Sequence, residues 1–409
     1  MLALVPAEKK RLFTAVVMSS LQKSILKAKL PPTGLSFGMP SRSKPKLGSS
    51  RSGKPKTHQR KRDYNPTTWA PYFDHSIEVE VDESVFRIYT RGTEGPILFL
   101  LHGGGYSALT WAEFSTCITS MVICRVIAID LRGHGDTYTA NEDDLSADTL
   151  ALDVAAVIDR ITHNRPVVLV GHSMGGAVAV RAAQLVNNLS GLIVIDVVEG
   201  TAMDALTSMQ SFLRSRPTSF GTISQAIEWC VRSGQIRNTQ SAKVSVPGQI
   251  KNIKSGKLAT HDIETMSPDS SNEESTDTVV QRADVIQEED STMPPPSSTA
   301  PETKKYVWRI DLSKTEQHWS GWFKGLSAAF LAVPAPKMLL LAGIDRLDRE
   351  LTVGQMQGKF QMQVLPACGH AVHEDVPDKV AEAVATFMVR HKIAEPASDF
   401  PRYQNTCTE

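Results

Sequence analysis

The sequence predicts an α/β fold with a mostly parallel, doubly wound sheet. The first observation is a set of continuous apolar runs, at 96–101, 124–130 and 166–170, which is typical of parallel strands covered on both faces. The second is the helical periodicity of 150–161, which lies between two of these runs. Because alternating strands and helices gather the carboxyl ends of the strands at one edge of a sheet, we expect the functional residues there.

The remaining elements follow from local patterns along the chain. Residues 76–81 and 84–90 alternate apolar and polar side chains, which predicts an antiparallel hairpin that enters the sheet. The run 191–196 predicts a strand after the third apolar run, and amphipathic spacing predicts helices over much of 201–249. The last predicted elements are two strands and a closing amphipathic helix, at 337–343, 360–365 and 376–391.

The chain divides by charge, although its 44 basic and 44 acidic residues cancel. Residues 1–62 contain fifteen Lys or Arg and one acid, and residues 258–303 contain eleven acids, one Arg and no aromatic residue. Segments of such composition cannot bury enough apolar surface to fold. We predict a disordered basic arm (1–65), an α/β core in two parts (66–200 and 306–395) and a helical lid (201–257). The remaining segments are a disordered acidic insertion (258–305) and a flexible tail (396–409).

Composition also limits the classes of function. No apolar run approaches the roughly 18 residues of a membrane span, so we expect no membrane as partner. A nucleic acid is not an expected partner either. The five cysteines are odd in number and show no CxxC spacing, which is typical of free thiols in a reducing compartment. We therefore expect a cytoplasmic or nuclear location, with the basic run 59–62 as a candidate nuclear signal. Metal-ligand spacing, a Walker motif and a dinucleotide fingerprint are absent, so no cofactor is expected.

The most informative motif is Gly-x-Ser-x-Gly at 171–175, between the strand that ends at Val170 and a helical stretch from Ala177. In this setting the motif predicts a tight strand-to-helix turn that exposes a nucleophilic serine. The glycines remove Cβ atoms that would block such close packing. Ser173 is therefore the candidate nucleophile, and the helix N-terminus beneath it favours negative charge.

A serine hydroxyl needs a base to take its proton, and the base needs a carboxylate to orient it. His370 follows the last predicted strand, which puts it at the same edge of the sheet as Ser173. We predict that His370 is the base. Four other histidines lie near strand ends or in the Ser173 turn, and their expected roles are structural: His102, His134, His172 and His373.

Two carboxylates fit the orienting position. Asp196 ends the strand that follows the Ser173 turn, and Asp345 follows the next predicted strand, at 337–343. Either carboxylate would hold one imidazole tautomer and stabilise the imidazolium. The spacing of the residues leaves both assignments open.

Negative charge that develops on a substrate carbonyl oxygen needs hydrogen-bond donors. The His-Gly-Gly-Gly sequence at 102–105 follows a predicted strand and supplies backbone N–H groups close to the Ser173 turn. We expect an oxyanion hole formed by the N–H of Met174 together with that of Gly103 or Gly104. Each such donor is worth roughly 3–4 kcal/mol in enzymes of this type.

These residues together resemble the eukaryotic protein phosphatase methylesterases, over roughly 60–250 and 306–395. The segments that carry the resemblance are 102–105, 145–147, 171–176, 195–204, 226–229, 233–238, 308–310, 345–348, 354–360 and 368–375. The resemblance implies an α/β-hydrolase fold with Ser173 as nucleophile, His370 as base and Asp196, rather than Asp345, as the acid. Gly133 departs from the family, which often has Ser there, but it lies outside the catalytic set.

The resemblance also implies a substrate, the methyl ester on the carboxyl-terminal leucine of the protein phosphatase 2A catalytic subunit. The implied reaction is hydrolysis through an acyl-serine intermediate. Members of the family are described as holding the phosphatase in an inactive complex as well. Gln355 and Met356 match a partner-contacting segment of the family, so we expect them to contact the phosphatase.

Beside the methylesterase function that the resemblance implies, three other interpretations of the chain or its segments remain. Part of the acidic insertion resembles a degenerate docking motif for phosphatase regulatory subunits, with Ile286 and Glu288 as anchors, but a solubilising acidic loop is the simpler interpretation. The chain is alternatively a phosphatase-binding protein on a hydrolase scaffold, in which the chemistry is secondary. A generic small-ester hydrolase is the third interpretation, because the aromatic stretch near Trp319 and Trp322 would suit an apolar acyl pocket.

Overall fold

The computed structural model describes residues 62–266, 304–343, 347–397 and 400. Its strands, β1 to β10, are His75–Val81, Ser84–Arg91, Ile97–Leu101, Arg125–Ile129, Val167–His172, Leu189–Ile195, Ile250–Asn252, Tyr306–Trp308, Lys337–Leu341 and Gln361–Val364. Its helices, α1 to α12, are Ala112–Met121, Ala147–Thr162, Met174–Ala182, Glu199–Ser215, Ile223–Ser233, Thr239–Ser245, Ala259–Met266, Glu316–Phe323, Leu326–Ala332, Arg349–Met356, Val372–Asp375 and Pro377–Arg390.

Eight of the strands form one twisted sheet in the order β1-β2-β4-β3-β5-β6-β9-β10. The pairs β1–β2 and β2–β4 are antiparallel, and the other neighbouring pairs are parallel. The predicted α/β fold with a mostly parallel sheet is confirmed. Because parallel strands end at the same edge, the residues after β3, β5, β6 and β10 meet there.

The core lies on both faces of this sheet. Along β3, Phe99 contributes to one apolar cluster and Leu98 to the other, as alternation in a strand requires. Val154 of α2 covers the first face, and Phe114 of α1 and Phe387 of α12 cover the second. Burying a side chain of this size stabilises the fold by about 1.5–3 kcal/mol relative to exposure. The two layers hold the strand ends rigidly at the candidate site.

The chain between β6 and β9 contributes a smaller unit, which we name the cap (residues 199–266 and 304–311). A third apolar cluster holds it together from Phe220 onward, whereas Ala202 of α4 packs in the first cluster. The cap helices α5 and α6 lie in the predicted helical region 201–257, and α4 begins two residues before that region, at Glu199. The assignment of residues 306–308 to the sheet core was wrong, since β8 pairs with β7 in a separate antiparallel ribbon, whereas β9 and β10 of the same predicted segment do join the sheet. Tyr306 is 2% exposed and packs among cap residues such as Ile227, which explains why the chain returns to the cap.

The predicted start of the disordered acidic insertion, at residue 258, was also wrong. Residues 259–266 form α7, because Leu258 and Ala259 are buried against the cap. The carboxylate of Asp262 is not a solvated charge, since it accepts hydrogen bonds from Tyr306 Oη at 2.6 Å and Asn252 Nδ2 at 2.9 Å. Residues 267–303, with the predicted anchors Ile286 and Glu288, lie outside the described residues.

Ordered structure extends a little beyond the predicted ends of the core. Asp63, placed in the disordered arm, pairs with Lys243 of α6 at 2.8 Å. Ala397, placed in the flexible tail, donates its backbone N–H to the carbonyl of Met121 at 2.8 Å. Backbone pairing and a half-buried ion pair explain both extensions. In the described ranges, no helix is both long and apolar enough to cross a bilayer, and the cytoplasmic or nuclear location stays a prediction.

Candidate active site

Ser173 occupies a strained turn between β5 and α3, with φ 53° and ψ −121°. A side chain at such a positive φ costs of the order of 1–3 kcal/mol, which the surrounding packing must offset. A Cβ at Gly171 would lie 2.2 Å from the carbonyl oxygen of Gly175, and one at Gly175 would lie 2.4 Å from the carbonyl oxygen of His102. Only glycine fits at these two positions. The motif therefore fixes the serine at the carboxyl end of β5.

His370 lies in the loop between β10 and α11 and faces Ser173. Its Nε2 is 3.0 Å from Ser173 Oγ, and its Nδ1 is 2.7 Å from Asp196 Oδ2. Since a carboxylate only accepts, Nδ1 carries the proton in the neutral ring and Nε2 is left as an acceptor for the serine hydroxyl. This is the arrangement that general-base activation of a serine requires.

Asp196 follows β6 directly and is itself fixed on both sides. Its backbone N–H donates to the carbonyl of Leu340 at 2.7 Å, and its Oδ1 accepts the N–H of Ala342 at 3.0 Å. Both partners belong to the neighbouring strand β9 or the residue after it, so the sheet itself aims the carboxylate at His370. Asp345, the alternative acid, lies outside the described residues.

His172 supports the loop that carries His370. Its Nε2 donates to the backbone carbonyl of His370 at 2.8 Å, and the two rings are 4.7 Å apart. The side chain is fully buried, and desolvation holds the pKa of His172 well below its usual range. A neutral ring in this place positions the His370 loop and takes no proton from the solvent at neutral pH.

The glycine loop after β3 is supported by two further buried histidines. His134 Nε2 accepts the N–H of Gly105 at 2.9 Å, while His102 donates through Nδ1 to the carbonyl of Gly103 at 2.8 Å. Burial lowers the pKa of His134 to about 4 and that of His102 well below its usual range. Both rings are therefore neutral at physiological pH, as required for Nε2 of His134 to accept the N–H of Gly105 and Nε2 of His102 to accept that of Leu131 at 3.0 Å.

The predicted oxyanion donors flank the serine. A Cβ on Gly103 would lie 3.3 Å from the Cβ of Ser173, and one on Gly104 would lie 3.6 Å from the sulfur of Met174. Because the N–H of Gly105 is bound to His134, Gly103 and Gly104 are the residues of this loop left to face a substrate. Met174 is the first residue of α3, where backbone N–H groups lack an intrahelical acceptor.

An apolar cavity of about 110 Å³ opens beside Ser173 Oγ. We name it the Ser173 cavity. Its walls come from the cap helix α4 and the aromatic helix α8, and include Met209, Phe212, Leu213, Leu312, Trp319, Trp322 and Phe323. The predicted aromatic stretch thus lines the site rather than only the core. A cavity of this size and character suits an aliphatic side chain next to the reacting carbonyl.

Sequence reasoning missed a buried carboxyl group behind the site. Glu374 of α11 accepts hydrogen bonds from Thr110 Oγ1 at 2.5 Å, Ser241 Oγ at 2.7 Å and Ser245 Oγ at 2.6 Å. His373 donates through Nε2 to the same Thr110 hydroxyl at 2.9 Å. Because the two serines belong to the cap helix α6, this network joins the cap to the loop of His370. Its only sequence signal is an acid directly after two closely spaced histidines.

Replacing Glu374 with Gln is expected to flatten the pH dependence of stability. Burial raises the pKa of Glu374 from 4.5 to about 7 in the fold. A raised acid pKa gives stability that is fully present below pH 4.5 and is lost as pH rises through about 7, worth about 3 kcal/mol in total. The measurement is the free energy of unfolding in urea at pH 5 and at pH 8, taken as the difference between wild type and variant at each pH. A difference that stays constant with pH would contradict the assignment.

The predicted partner residues lie away from this site. Met356 ends α10 with 84% of its side chain exposed, and Gln355 lines a surface groove with Leu347 and Met362. Neither is among the residues that line the Ser173 cavity. In the described part of the chain, no group of three or more His, Cys, Asp or Glu side chains is arranged to hold a metal ion.

The chain is similar to known hydrolases in both sequence and fold. The model of the family described as "Alpha/beta hydrolase family" matches residues 98–383. Among solved structures, the chain resembles E-2-(acetamidomethylene)succinate hydrolase, with a TM-score of 0.55 and 17% identity over 77% of this chain and 99% of that one. An esterase from Mycobacterium tuberculosis aligns with a TM-score of 0.52 and 19% identity, covering 77% of this chain and 90% of that one. The class of the protein is thus the α/β hydrolases.

Sequence relatives narrow this class to one family. The protein named protein phosphatase methylesterase 1 of Mus musculus is 52% identical over 94% of this chain and 98% of its own length. The Homo sapiens protein of that name is 51% identical over the same shares. The Caenorhabditis elegans protein, named as a probable member, is 44% identical over 83% of this chain and 82% of its own. The chain belongs to the protein phosphatase methylesterase family, and it is a carboxylic ester hydrolase.

Proposed function

We propose that this methylesterase hydrolyses the methyl ester on the carboxyl-terminal leucine of the protein phosphatase 2A catalytic subunit. The observation that carries the proposal is the hydrogen-bonded chain Ser173–His370–Asp196 beside an apolar cavity. The shared name of the relatives supports a protein phosphatase as the substrate. The cavity of about 110 Å³ has the apolar character that a leucine side chain needs.

In the acylation step, Ser173 Oγ attacks the ester carbonyl carbon while His370 Nε2 takes the hydroxyl proton. Asp196 stabilises the imidazolium that forms. The oxyanion accepts hydrogen bonds from the N–H of Met174 and that of Gly103 or Gly104, each worth roughly 3–4 kcal/mol. When the C–OCH₃ bond breaks, His370 gives the proton to the leaving oxygen and methanol departs.

In the deacylation step, water attacks the acyl carbon and His370 Nε2 takes one of its protons. The ester bond to Ser173 Oγ then breaks, His370 returns the proton to that oxygen, and the free carboxylic acid ionises on release. The same donors hold the oxyanion in both steps. Water is the second reactant, so the proposed chemistry uses no cofactor.

Binding of the phosphatase body is the second part of the proposal. A methylated tail is a small target, so selectivity requires contacts outside the Ser173 cavity. Met356, with 84% of its side chain exposed, and the neighbouring Gln355 supply an apolar and a polar contact on the same helix end. A docking role for Ile286 and Glu288 toward a regulatory subunit stays a prediction.

The experiment is methanol release from the methylated catalytic subunit, compared with release from methyl butyrate. We expect kcat/KM to be higher for the phosphatase by roughly 100-fold or more, because contacts beyond the reacting ester add to transition-state binding. Equal values for the two esters would favour the generic small-ester hydrolase. Tight phosphatase binding without methanol release would favour the binding protein on a hydrolase scaffold.

A further inference from the structure

Arg216 is the one permanently charged side chain among the described residues that line the Ser173 cavity. It follows the last turn of α4, where the backbone becomes extended with φ −74° and ψ 144°. One terminal nitrogen of its guanidinium lies 4.0 Å from the place where a Cβ on Gly105 would be. The charge is therefore next to the glycine loop that carries the proposed oxyanion donors.

Two tryptophans fix this guanidinium in place. Its central carbon is 3.7 Å from the ring centre of Trp308 and 6.0 Å from that of Trp229. The indole N–H of Trp308 donates to the carbonyl of Pro217 at 2.8 Å, which holds that ring in its orientation. A cation over aromatic faces gains about 0.5–2 kcal/mol, but the rings do not accept the in-plane N–H groups of the guanidinium.

The donors of Arg216 have no protein acceptor in the part of the chain that the structure describes. Its Nε is buried without a hydrogen bond, and no ion pair or hydrogen bond of the side chain occurs among the described residues. Burial lowers the pKa of Arg216 from its usual value, and this effect outweighs the opposing effects of Cys230, Tyr106 and the Asp311 carboxylate. Because a partly buried cation without a hydrogen-bond acceptor is costly, an anionic ligand at this place would gain a charge-assisted contact.

Arg216 also lies where two concave surfaces meet. It lines the Ser173 cavity and, on its other side, an open groove of about 360 Å³ formed with Pro217, Thr218, Trp308 and Asp311. For a peptide whose esterified end lies at Ser173, this groove can hold the residues that precede the ester. Its last residues would then pass the guanidinium.

We propose that Arg216 binds a carboxylate of the tail peptide, where it either selects among ester substrates or retains the acid product. This inference rests on the proposed function and adds a recognition element to it. The carboxylate has two sources, an acidic side chain shortly before the esterified leucine or the terminal carboxylate that hydrolysis creates. In both cases the planar N–H fork of arginine provides bidentate contacts that a lysine would not reproduce.

The test uses short peptide methyl esters that end in leucine and differ by Asp or Asn at one of the three preceding positions. At one of these three positions, we expect Arg216→Met to lower kcat/KM at least tenfold for the peptide with Asp. The peptide with Asn at the same position, and methyl butyrate, should lose less than threefold. Arg216→Lys should recover only part of the loss. The matched control is Arg232→Met, which removes an exposed cation of the cap helix α5 that lines neither the Ser173 cavity nor the groove, and it should leave all values within threefold.

Calorimetric binding of the free-acid peptides tests the second source and does not depend on turnover. If the product carboxylate is the ligand, Arg216→Met weakens this binding at least tenfold for Asp and Asn peptides alike. Equal losses on methyl butyrate and on every peptide would assign Arg216 to cavity shape and overturn the proposal. Unchanged kinetics together with unchanged product binding would also overturn it. Product binding that depends on Arg216 without any ester turnover would contradict the proposed function but not this inference.

Discussion

Replacing Ser173 with Ala is expected to lower kcat/KM for methyl-ester peptides by at least about 10⁴-fold. In the proposed mechanism the hydroxyl oxygen forms the acyl bond, and it lies 3.0 Å from His370 Nε2. The variant keeps the proposed oxyanion donors and the cavity, which supply only the residual catalysis. Phosphatase binding should stay within about threefold, since one hydroxyl oxygen contributes little to a protein interface. Steady-state ester hydrolysis and a binding titration measure the two quantities.

The matched control for this variant is Ser233→Ala. Ser233 lines the same cavity, but its hydroxyl donates to the carbonyl of Cys230 at 3.2 Å rather than to His370. We expect this variant to keep kcat/KM within about threefold, because removing a hydroxyl that does not contact the reacting atoms has a small effect. Similar losses in both variants would show that the cavity, and not the Ser173 nucleophile, limits the reaction.

Replacing Asp196 with Asn is expected to lower kcat by about 10⁴-fold at neutral pH. The carbonyl oxygen of the new amide can still accept the N–H of Ala342, so its NH₂ group turns toward His370 Nδ1. His370 must then accept at Nδ1 and carry its proton on Nε2. A protonated Nε2 cannot take the proton of Ser173. Stopped-assay hydrolysis with a circular-dichroism melt separates this effect from loss of the fold.

The control for Asp196 is Asp345→Asn, which tests the alternative that residue spacing leaves open. We expect less than a threefold change in kcat, because His370 Nδ1 is already 2.7 Å from Asp196 in the structure. A large loss for Asp345→Asn with near wild-type activity for Asp196→Asn would reverse the assignment of the acid.

Patterns that depend on near neighbours in the chain predicted much of the fold. The apolar run at 166–170 followed by Gly-x-Ser-x-Gly gave β5, the turn and α3, because backbone strain and missing Cβ atoms are local properties. The position of His370 after the last strand followed from parallel strands that end at one edge. The family resemblance, rather than spacing, selected Asp196 over Asp345.

Features that need distant parts of the chain to meet were not predictable. The pairing of β7 with β8 joins segments on either side of the acidic insertion, so neither run alone revealed it. The environment of Arg216 depends on Trp229 and Trp308, which come from two separate segments of the cap. The start of the insertion was misplaced because composition does not show that Asp262 finds donors inside the cap.

The most direct test of the account is covalent labelling with a fluorophosphonate, followed by peptide mass spectrometry. An activated serine attacks the phosphorus and displaces fluoride, so the label marks the nucleophile without any need for turnover. We expect one label per chain, on Ser173, with labelling slowed by a methylated phosphatase tail peptide and lost in His370→Ala. Labelling at another residue would contradict the account. So would a labelling rate at Ser173 that neither the peptide nor the His370→Ala substitution changes.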